Sequence, residues 1–197
     1  AIADSKKLYS KSAGLGRLEE AVHTFCALKE LQSSTFKDLI QSLSHPFMGD
    51  LQQYPWYENR DFNLPLKAKK ETIEKRTHLL AQTMDETGIK FMGARSIAVC
   101  VDRLNSMFRQ TKNKSLTLWE LTALHLRELW DRYGSAGSLQ VYTDKHGGRN
   151  SYAHLIIESL KPQRVVAVAQ GPRISSYDVL SPGKKLTIHF ARGGDST

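Results

Sequence analysis

Two absences set the broad class of this protein. No run of apolar residues approaches the roughly 20 that a membrane-spanning helix requires. No basic segment followed by an apolar segment and a cleavage site stands at the start of the chain. We therefore expect a soluble protein with no membrane partner. Its 197 residues are enough for one domain of ordinary size with its own core.

Cysteine is scarce as well. Cys26 and Cys100 are the only two cysteines, and they lie in a helical and a strand-like apolar pattern, respectively. Such positions favour reduced core thiols over a disulfide. We therefore expect a cytoplasmic, reducing location.

Several enzyme signatures are missing. The sequence has no Gly-x-Ser-x-Gly elbow, Walker loop, dinucleotide-binding fingerprint or His-Glu-x-x-His pair. The enzyme classes that depend on these motifs are excluded.

Positive charge, by contrast, is in excess: 28 Lys and Arg against 20 Asp and Glu give a net charge of +8. That charge permits a polyanionic partner, but it is equally compatible with a role in solubility alone.

The first part of the chain has the periodicity of helices. Apolar residues recur at three- and four-residue spacing, and capping residues and prolines separate the segments. The predicted elements are a helix over 15–32, a second helix capped at Ser34 or Thr35 and ended before Pro46, an ordered aromatic loop over 46–65, and a charged helix over 66–87 that stops at Gly88.

The second part alternates between strand and helix patterns, which predicts a mixed α/β fold. The predicted elements are a strand at Ile97, Val99 and Val101, a leucine-rich helix closed by Gly134, a strand over 139–143 that ends in Asp144, a short helix over 151–160, a strand over 164–170, and a hairpin of 177–180 with 185–190.

The segment from Asp144 to Arg149 is the strongest candidate site. A carboxylate at the carboxyl end of a strand lies where α/β sheets place their sites, and the pair Gly147-Gly148 lets the backbone approach a ligand. Lys145 and Arg149 add cations suited to phosphate. The alternative is a solvated turn in which Asp144 only caps the chain. His146 could act as a base or a metal ligand, but no second His or Cys stands at ligand spacing.

Two further segments carry polar residues. Ser5, Lys6 and Lys7 could hold a phosphodiester through a hydroxyl and two ammonium groups, although the pattern alone favours a frayed basic chain start. Asp102 follows the predicted strand, and we expect it to cap the next helix.

The order of these segments resembles a known family. Asp4-Ser5-Lys6-Lys7-Leu8 followed by a helix is similar to the Asp-Ser-Lys-Lys-Leu segment of bacterial and archaeal ribonuclease HII. Val101-Asp102-Arg103-Leu104-Asn105 and Val141-Tyr142-Thr143-Asp144 resemble its Ile-Asp-x-x-Asn and Val-Leu-Val-Asp-Gly. Phe190-Ala191-Arg192-Gly193-Gly194-Asp195 resembles its Lys-Gly-Asp with the lysine displaced or replaced. Asp144-Lys145-x-Gly147-Gly148-Arg149 with Tyr152 is closer to a group of divergent bacterial relatives of that enzyme.

The resemblance implies a ribonuclease H-like fold, a mixed sheet with flanking helices, as a single domain over 1–197 with a helical insertion at about 33–88. It implies metal-dependent cleavage of the RNA strand of RNA/DNA duplexes with two Mg²⁺ or Mn²⁺ ions. Asp144 would be a catalytic, metal-binding carboxylate. Ser5, Lys6 and Lys7 would bind the substrate, with Lys145 and Arg149 as further phosphate ligands.

The family pattern also extends beyond this sequence. Its first strand, with an Asp-Glu pair, would precede Ala1, and its last catalytic Asp would follow Thr197, so we expect a domain incomplete at both ends. One carboxylate cannot neutralise two divalent ions, so we expect little activity from this chain alone. The alternatives are a non-catalytic module that binds nucleic acid or protein, and a structural domain whose charge only aids solubility.

Overall fold

The computed structural model describes residues 8–9, 14–44, 47–58 and 61–193. Ser5, Lys6 and Lys7 lie outside this range, as do Gly194 and Asp195, so the roles predicted for them stay predictions. The chain divides into two compact units, Ala1–Arg103 and Leu104–Thr197. The segment predicted as an insertion, about 33–88, falls within the first unit. Among the described residues, no helix is long and apolar enough to cross a membrane.

The first unit is helical. Its described elements are α1 (Gly16–Ala27), α2 (Phe36–Leu43), α3 (Met48–Leu51), α4 (Pro55–Glu58) and α5 (Lys70–Thr87). The next helix, α6 (Val101–Thr111), contains the division between the units. The two short helices α3 and α4 lie in the segment that the sequence predicts as an ordered loop.

Local capping explains where these helices begin and end. The hydroxyl oxygen of Thr35 accepts a hydrogen bond from the backbone N–H of Asp38 at 3.1 Å, which confirms Thr35 as the N-cap of α2. Gly88 ends α5 in the left-handed region, with φ of 68°. Helix α1 is shorter than predicted because the chain turns after Ala27 and Glu30 adopts a φ of 52°.

The strand predicted at Ile97, Val99 and Val101 is wrong. Residues 97–100 form neither strand nor helix, and α6 begins at Val101. The only pairing of this segment among the described residues is a bridge between Ser44 and Ser96. A period-two pattern without a partner strand cannot form a ladder.

Asp102 is not the N-cap that the sequence predicts. It lies in the first turn of α6, and its carboxylate accepts a hydrogen bond from the hydroxyl of Tyr54 at 2.9 Å. The backbone N–H of Asp102 donates in turn to the same hydroxyl oxygen at 3.1 Å. Its role is therefore a contact inside the helical unit.

Glu19 connects α1 to the turn that precedes α5. Its carboxylate, on α1, accepts the backbone N–H groups of Leu66, Lys67 and Ala68 at 2.6, 2.7 and 2.9 Å. These residues form a turn instead of the first helical turn predicted at 66, and α5 begins at Lys70. Burial raises the pKa of Glu19, but the three donors outweigh burial and leave that pKa below its usual value.

The second unit is a mixed α/β layer structure. It contains α7 (Lys114–Tyr133), β1 (Leu139–Asp144), α8 (Ala153–Leu160), β2 (Arg164–Gln170), β3 (Ile174–Ser181) and β4 (Lys184–Ala191). The strands form one sheet in the order β1-β4-β3-β2. Strand β1 is parallel to β4, whereas β4 with β3 and β3 with β2 are antiparallel. The mixed α/β fold class, with a mixed sheet and flanking helices, is confirmed at this level.

One face of the sheet forms the core with α7 and α8. The alternating residues Leu186, Ile188 and Phe190 of β4 are fully buried, as the period of two in a strand requires. They pack with Trp119, Ala123, Leu126 and Trp130 of α7 and with Ile156 and Leu160 of α8. The Tyr152 ring stacks on Phe190 with 3.7 Å between ring centroids.

Glu19→Ala tests the junction between α1 and the turn before α5. Since three backbone donors lose a charged acceptor, we expect a loss of about 1–2 kcal/mol in the free energy of unfolding at pH 7. The pKa of Glu19 is lowered in the folded state, so its contribution is complete above the ordinary carboxyl pKa and disappears as the pH falls through the folded value. The difference between wild type and variant should therefore shrink in acid, which urea denaturation at several pH values measures.

The matched control is Glu20→Ala on the same helix. Glu20 forms an ion pair with Arg76, whose side chain is 57% exposed, and such pairs contribute less than about 1 kcal/mol. Equal losses in the two variants, or a loss from Glu19→Ala that does not depend on pH, would contradict the assignment.

Candidate functional site

The candidate site lies at one end of the sheet of the second unit. Asp144 is the last residue of β1 and pairs with Ala191, the last residue of β4. Because these strands are parallel, the segments that follow them, 145–152 and 192–193, leave the sheet at the same end. Ligand sites in α/β sheets form at the carboxyl ends of the strands.

The carboxylate of Asp144 connects the two strand ends. Its Oδ1 accepts the backbone N–H of Lys145 at 3.1 Å and that of Gly193 at 3.0 Å. The residue is exposed, and Oδ2 has no partner among the described residues. Asp144 therefore acts as a cap, as the alternative interpretation of the sequence proposes. One carboxylate oxygen stays open to a ligand, so the cap does not exclude a binding role.

The side chain of Lys145 is directed into the protein. Its Nζ donates to Asn150 Oδ1 at 2.9 Å, to Ser175 Oγ at 3.3 Å and to the carbonyl oxygen of Gly171. An ammonium group has three donors, so all of them are used. The structure thus places Lys145 as a clamp between the segment after β1, strand β3 and the turn before β3, rather than with its charge toward solvent.

The clamp holds a buried cation among neutral acceptors. Burial lowers the pKa of Lys145, and the nearby charge of Arg192 lowers it further. No carboxylate forms an ion pair with this ammonium group among the described residues. The charge of Lys145 therefore adds a positive field to the end of the sheet without taking part in a surface contact.

His146 is also buried, at 9% exposure. The hydroxyl oxygen of Thr122 is 3.0 Å from the carbonyl oxygen of Leu118 and 3.2 Å from His146 Nε2. When this hydroxyl donates to Leu118, His146 Nε2 carries the proton and donates to Thr122. Nδ1 is then an acceptor with no partner among the described residues. Burial, followed by the charge of Arg149, lowers the pKa of His146 against the opposing effect of Asp144. With both ring nitrogens enclosed, the structure does not bring His146 to a position where it could serve as an exposed base.

Arginine supplies the cations that remain open. Arg149 is half-buried; its Nε donates to Ser115 Oγ at 3.3 Å, and its other guanidinium nitrogens have no partner within the described ranges. Arg192 and Arg173 are exposed, and the backbone N–H of Arg192 bonds the carbonyl oxygen of Arg173 at 3.0 Å. We call Arg149, Arg173 and Arg192 the arginine rim. Arg149 and Arg192 lie in the segments that follow β1 and β4, and Arg173 precedes Ile174, which pairs with Ala191 at the end of β4. Among the described residues of these segments and strand ends, Asp144 is the one carboxylate.

The arginine rim is only partly visible in the sequence. Arg149 follows the Gly147-Gly148 pair and is expected from that pattern. Arg173 and Arg192 join the site because β1 pairs with β4, which pairs with β3. Knowledge of the strand order would have identified Arg173 and Arg192 as site residues, but the spacing of residues in the sequence does not reveal that order.

A metal centre needs several ligands close together. The described part of the chain contains no group of three or more His, Cys, Asp or Glu side chains that could hold a metal ion. Asp144 offers one free carboxylate oxygen, which suits a ligand of Mg²⁺ or Mn²⁺. One such ligand does not amount to a two-metal site, so the described residues alone do not fit that centre.

Two buried tyrosines order the segment 145–152. The hydroxyl oxygen of Tyr152 accepts the backbone N–H of His146 at 2.9 Å. The hydroxyl of Tyr177 accepts the backbone N–H of Tyr152 at 2.9 Å and donates to the carbonyl oxygen of Asn150 at 3.4 Å. Both tyrosines are fully buried, so the segment is bonded directly to the core.

Comparison with protein families, curated proteins and solved structures finds no match to this chain. The likeness to ribonuclease HII therefore depends on the sequence motifs alone.

The clamp can be tested with Lys145→Ala and Lys145→Arg. We expect Lys145→Ala to lower the free energy of unfolding by about 2–3 kcal/mol, because the acceptors Asn150, Gly171 and Ser175 lose a charged donor. Lys145→Arg keeps the charge but not the compact shape, so its stability should be intermediate. Urea denaturation followed by the fluorescence of Trp119 and Trp130 in the same unit gives the measurement. A Lys145→Ala variant as stable as wild type would show that the clamp contributes nothing.

Proposed function

We propose that this chain forms part of a ribonuclease HII-like protein that cleaves the RNA strand of RNA/DNA duplexes with Mg²⁺ or Mn²⁺. In this proposal Asp144 supplies one metal-binding carboxylate, and the arginine rim binds the phosphate backbone. The observation that carries it is the open carboxylate oxygen of Asp144 at the paired ends of β1 and β4, with an arginine in each of the segments that follow these strands.

The geometry supports a phosphodiester ligand. Guanidinium groups bind phosphate through two parallel hydrogen bonds, and Arg149 and Arg192 each have free donors among the described residues. The net charge of the chain, +8, adds a sequence-independent attraction to nucleic acid. The expected ribonuclease H-like arrangement of the sheet is part of the proposal.

The metal centre needs further carboxylates. Two divalent ions carry four positive charges, and the arginine rim adds to them, so Asp144 cannot balance that charge alone. The proposal therefore assigns no reaction step to Asp144 beyond holding a metal ion. We expect weak cleavage or none from the described residues by themselves.

The second candidate is a non-catalytic module that binds duplex nucleic acid. The specific observation in its favour is that, among the described residues at this end of the sheet, arginines outnumber carboxylates. Phosphate binding needs the arginine rim and no metal. This candidate uses the same surface, and it differs from the first only in whether the bound strand is cut.

Cleavage is tested with a fluorescently labelled RNA/DNA hybrid in Mg²⁺ and in Mn²⁺, with this chain and with the chain extended at both ends. We expect cleavage by the extended chain and its loss in Asp144→Asn by at least about a hundredfold, because a metal ligand is removed. The Asn side chain keeps an acceptor for the N–H groups of Lys145 and Gly193, so the fold should persist.

Asp178→Asn is the matched control for cleavage. Asp178 pairs with Thr187 of β4, which pairs with Gln140 of β1. Gln140 precedes Asp144 by four residues, a distance of roughly 13 Å along the strand. The control should leave cleavage unchanged. Undiminished cleavage in Asp144→Asn would refute the metal-binding role, and binding without cleavage under either metal would favour the second candidate.

Binding is tested by the salt dependence of hybrid affinity in EDTA. We expect Arg149→Gln and Arg192→Gln each to weaken binding and to reduce the slope of log K against log salt by about 0.9 for each phosphate that the variant no longer neutralises. The control is Arg132→Gln. Arg149 is bonded to Ser115 at the start of α7, and Arg132 lies 17 residues further along the same helix. That separation is roughly 25 Å. If Arg132→Gln changed the slope as much as Arg149→Gln, the attraction would be diffuse and the rim would not be the site.

A further inference from the structure

The face of the sheet opposite the core carries an exposed aromatic side chain next to Asp144. Tyr142 and Asp144 alternate along β1 with the less exposed Val141 and Thr143, so both point to the opposite face. Their Cα atoms are therefore about 7 Å apart on one surface. Tyr142 is 56% exposed.

Tyr142 is fixed in place despite this exposure. Its ring stacks on His189, its cross-strand partner, at 4.6 Å between centroids with 18° between the planes. Its hydroxyl donates to Gln140 Oε1 at 3.0 Å. His189 is in turn bonded through Nδ1 to Ser176 Oγ at 2.9 Å. The orientation of the Tyr142 ring is therefore set before any ligand binds.

In the part of the chain that the structure describes, the Tyr142 ring has a stacking partner on one face only. Strand β1 is at the edge of the sheet, and β4, which carries His189, is its only neighbouring strand among the described residues. The stacked His189 covers the ring face that points toward β4, so the other face points away from the sheet. An aromatic ring with one covered and one open face is the arrangement on which nucleic-acid bases stack.

We propose that Tyr142 is a base-stacking residue that binds an unpaired nucleotide beside the strand held at Asp144 and the arginine rim. This inference rests on the proposed function and adds a substrate preference to it. Bases inside a duplex are already stacked on their neighbours, so only an unpaired base can reach the ring. The preferred ligand is therefore a hybrid with a single-stranded extension.

The experiment compares a short blunt RNA/DNA hybrid with the same hybrid carrying a single-stranded RNA tail, by fluorescence anisotropy in EDTA with the full chain. We expect the tailed hybrid to bind the wild-type protein more tightly by about fivefold to a hundredfold, which corresponds to one stacked base. Tyr142→Leu should abolish that preference, whereas Tyr142→Phe, which keeps the ring, should retain it. The salt slope should be unchanged in both variants, because stacking releases no counterions.

Tyr9→Leu is the matched control, since Tyr9 is 52% exposed and lies in the first unit. It should leave the preference for the tailed hybrid intact. Equal affinity of wild type for both hybrids, or an unchanged preference in Tyr142→Leu, would overturn the stacking role and leave the proposed function standing. Absence of binding to either hybrid at low salt would instead refute the proposed function itself.

Discussion

The parallel pairing of β1 with β4 is the constraint on which the rest of the second unit depends. It brings Asp144 and Gly193, 49 residues apart in the chain, into a 3.0 Å hydrogen bond. The same pairing buries alternate residues of β4 against α7 and α8 and leaves the other face of the sheet to Tyr142 and His189. Asp144, Lys145, Arg149 and Arg192 take their positions from this pair of strands or from the segments that leave them, and Arg173 joins them through the pairing of β4 with β3.

The cations at this end of the sheet have two different roles. The ammonium group of Lys145 donates all its hydrogen bonds to acceptors inside the protein, and its compact shape suits that enclosed position. The arginines keep planar guanidinium groups with unused donors at the surface. Asp144 is the one carboxylate among the residues that the structure describes at this end of the sheet, with one oxygen bonded to the backbone and one without a partner in the described ranges. The local field consequently favours anionic ligands, and any metal ion would need additional carboxylates to overcome it.

Features set by neighbouring residues could be predicted from the sequence. The Thr35 cap, the Gly88 stop and the hairpin of 177–180 with 185–190 depend on short-range geometry, and the structure confirms them. The strand expected at Ile97 failed because strand formation needs a partner, which periodicity does not reveal. The inward direction of Lys145 depends on the carbonyl oxygen of Gly171, 26 residues away. Likewise, the gathering of Arg173 and Arg192 beside Asp144 depends on sheet order.

The two buried tyrosine hydroxyls give the segment 145–152 an unusual property for a loop beside a candidate site. Backbone N–H groups of His146 and Tyr152 are bonded to side chains that are themselves locked in the core. Such a loop is ordered before a ligand arrives, so association would lose little conformational entropy there. Its encounter rate would then be governed by diffusion and charge rather than by a slow closing motion.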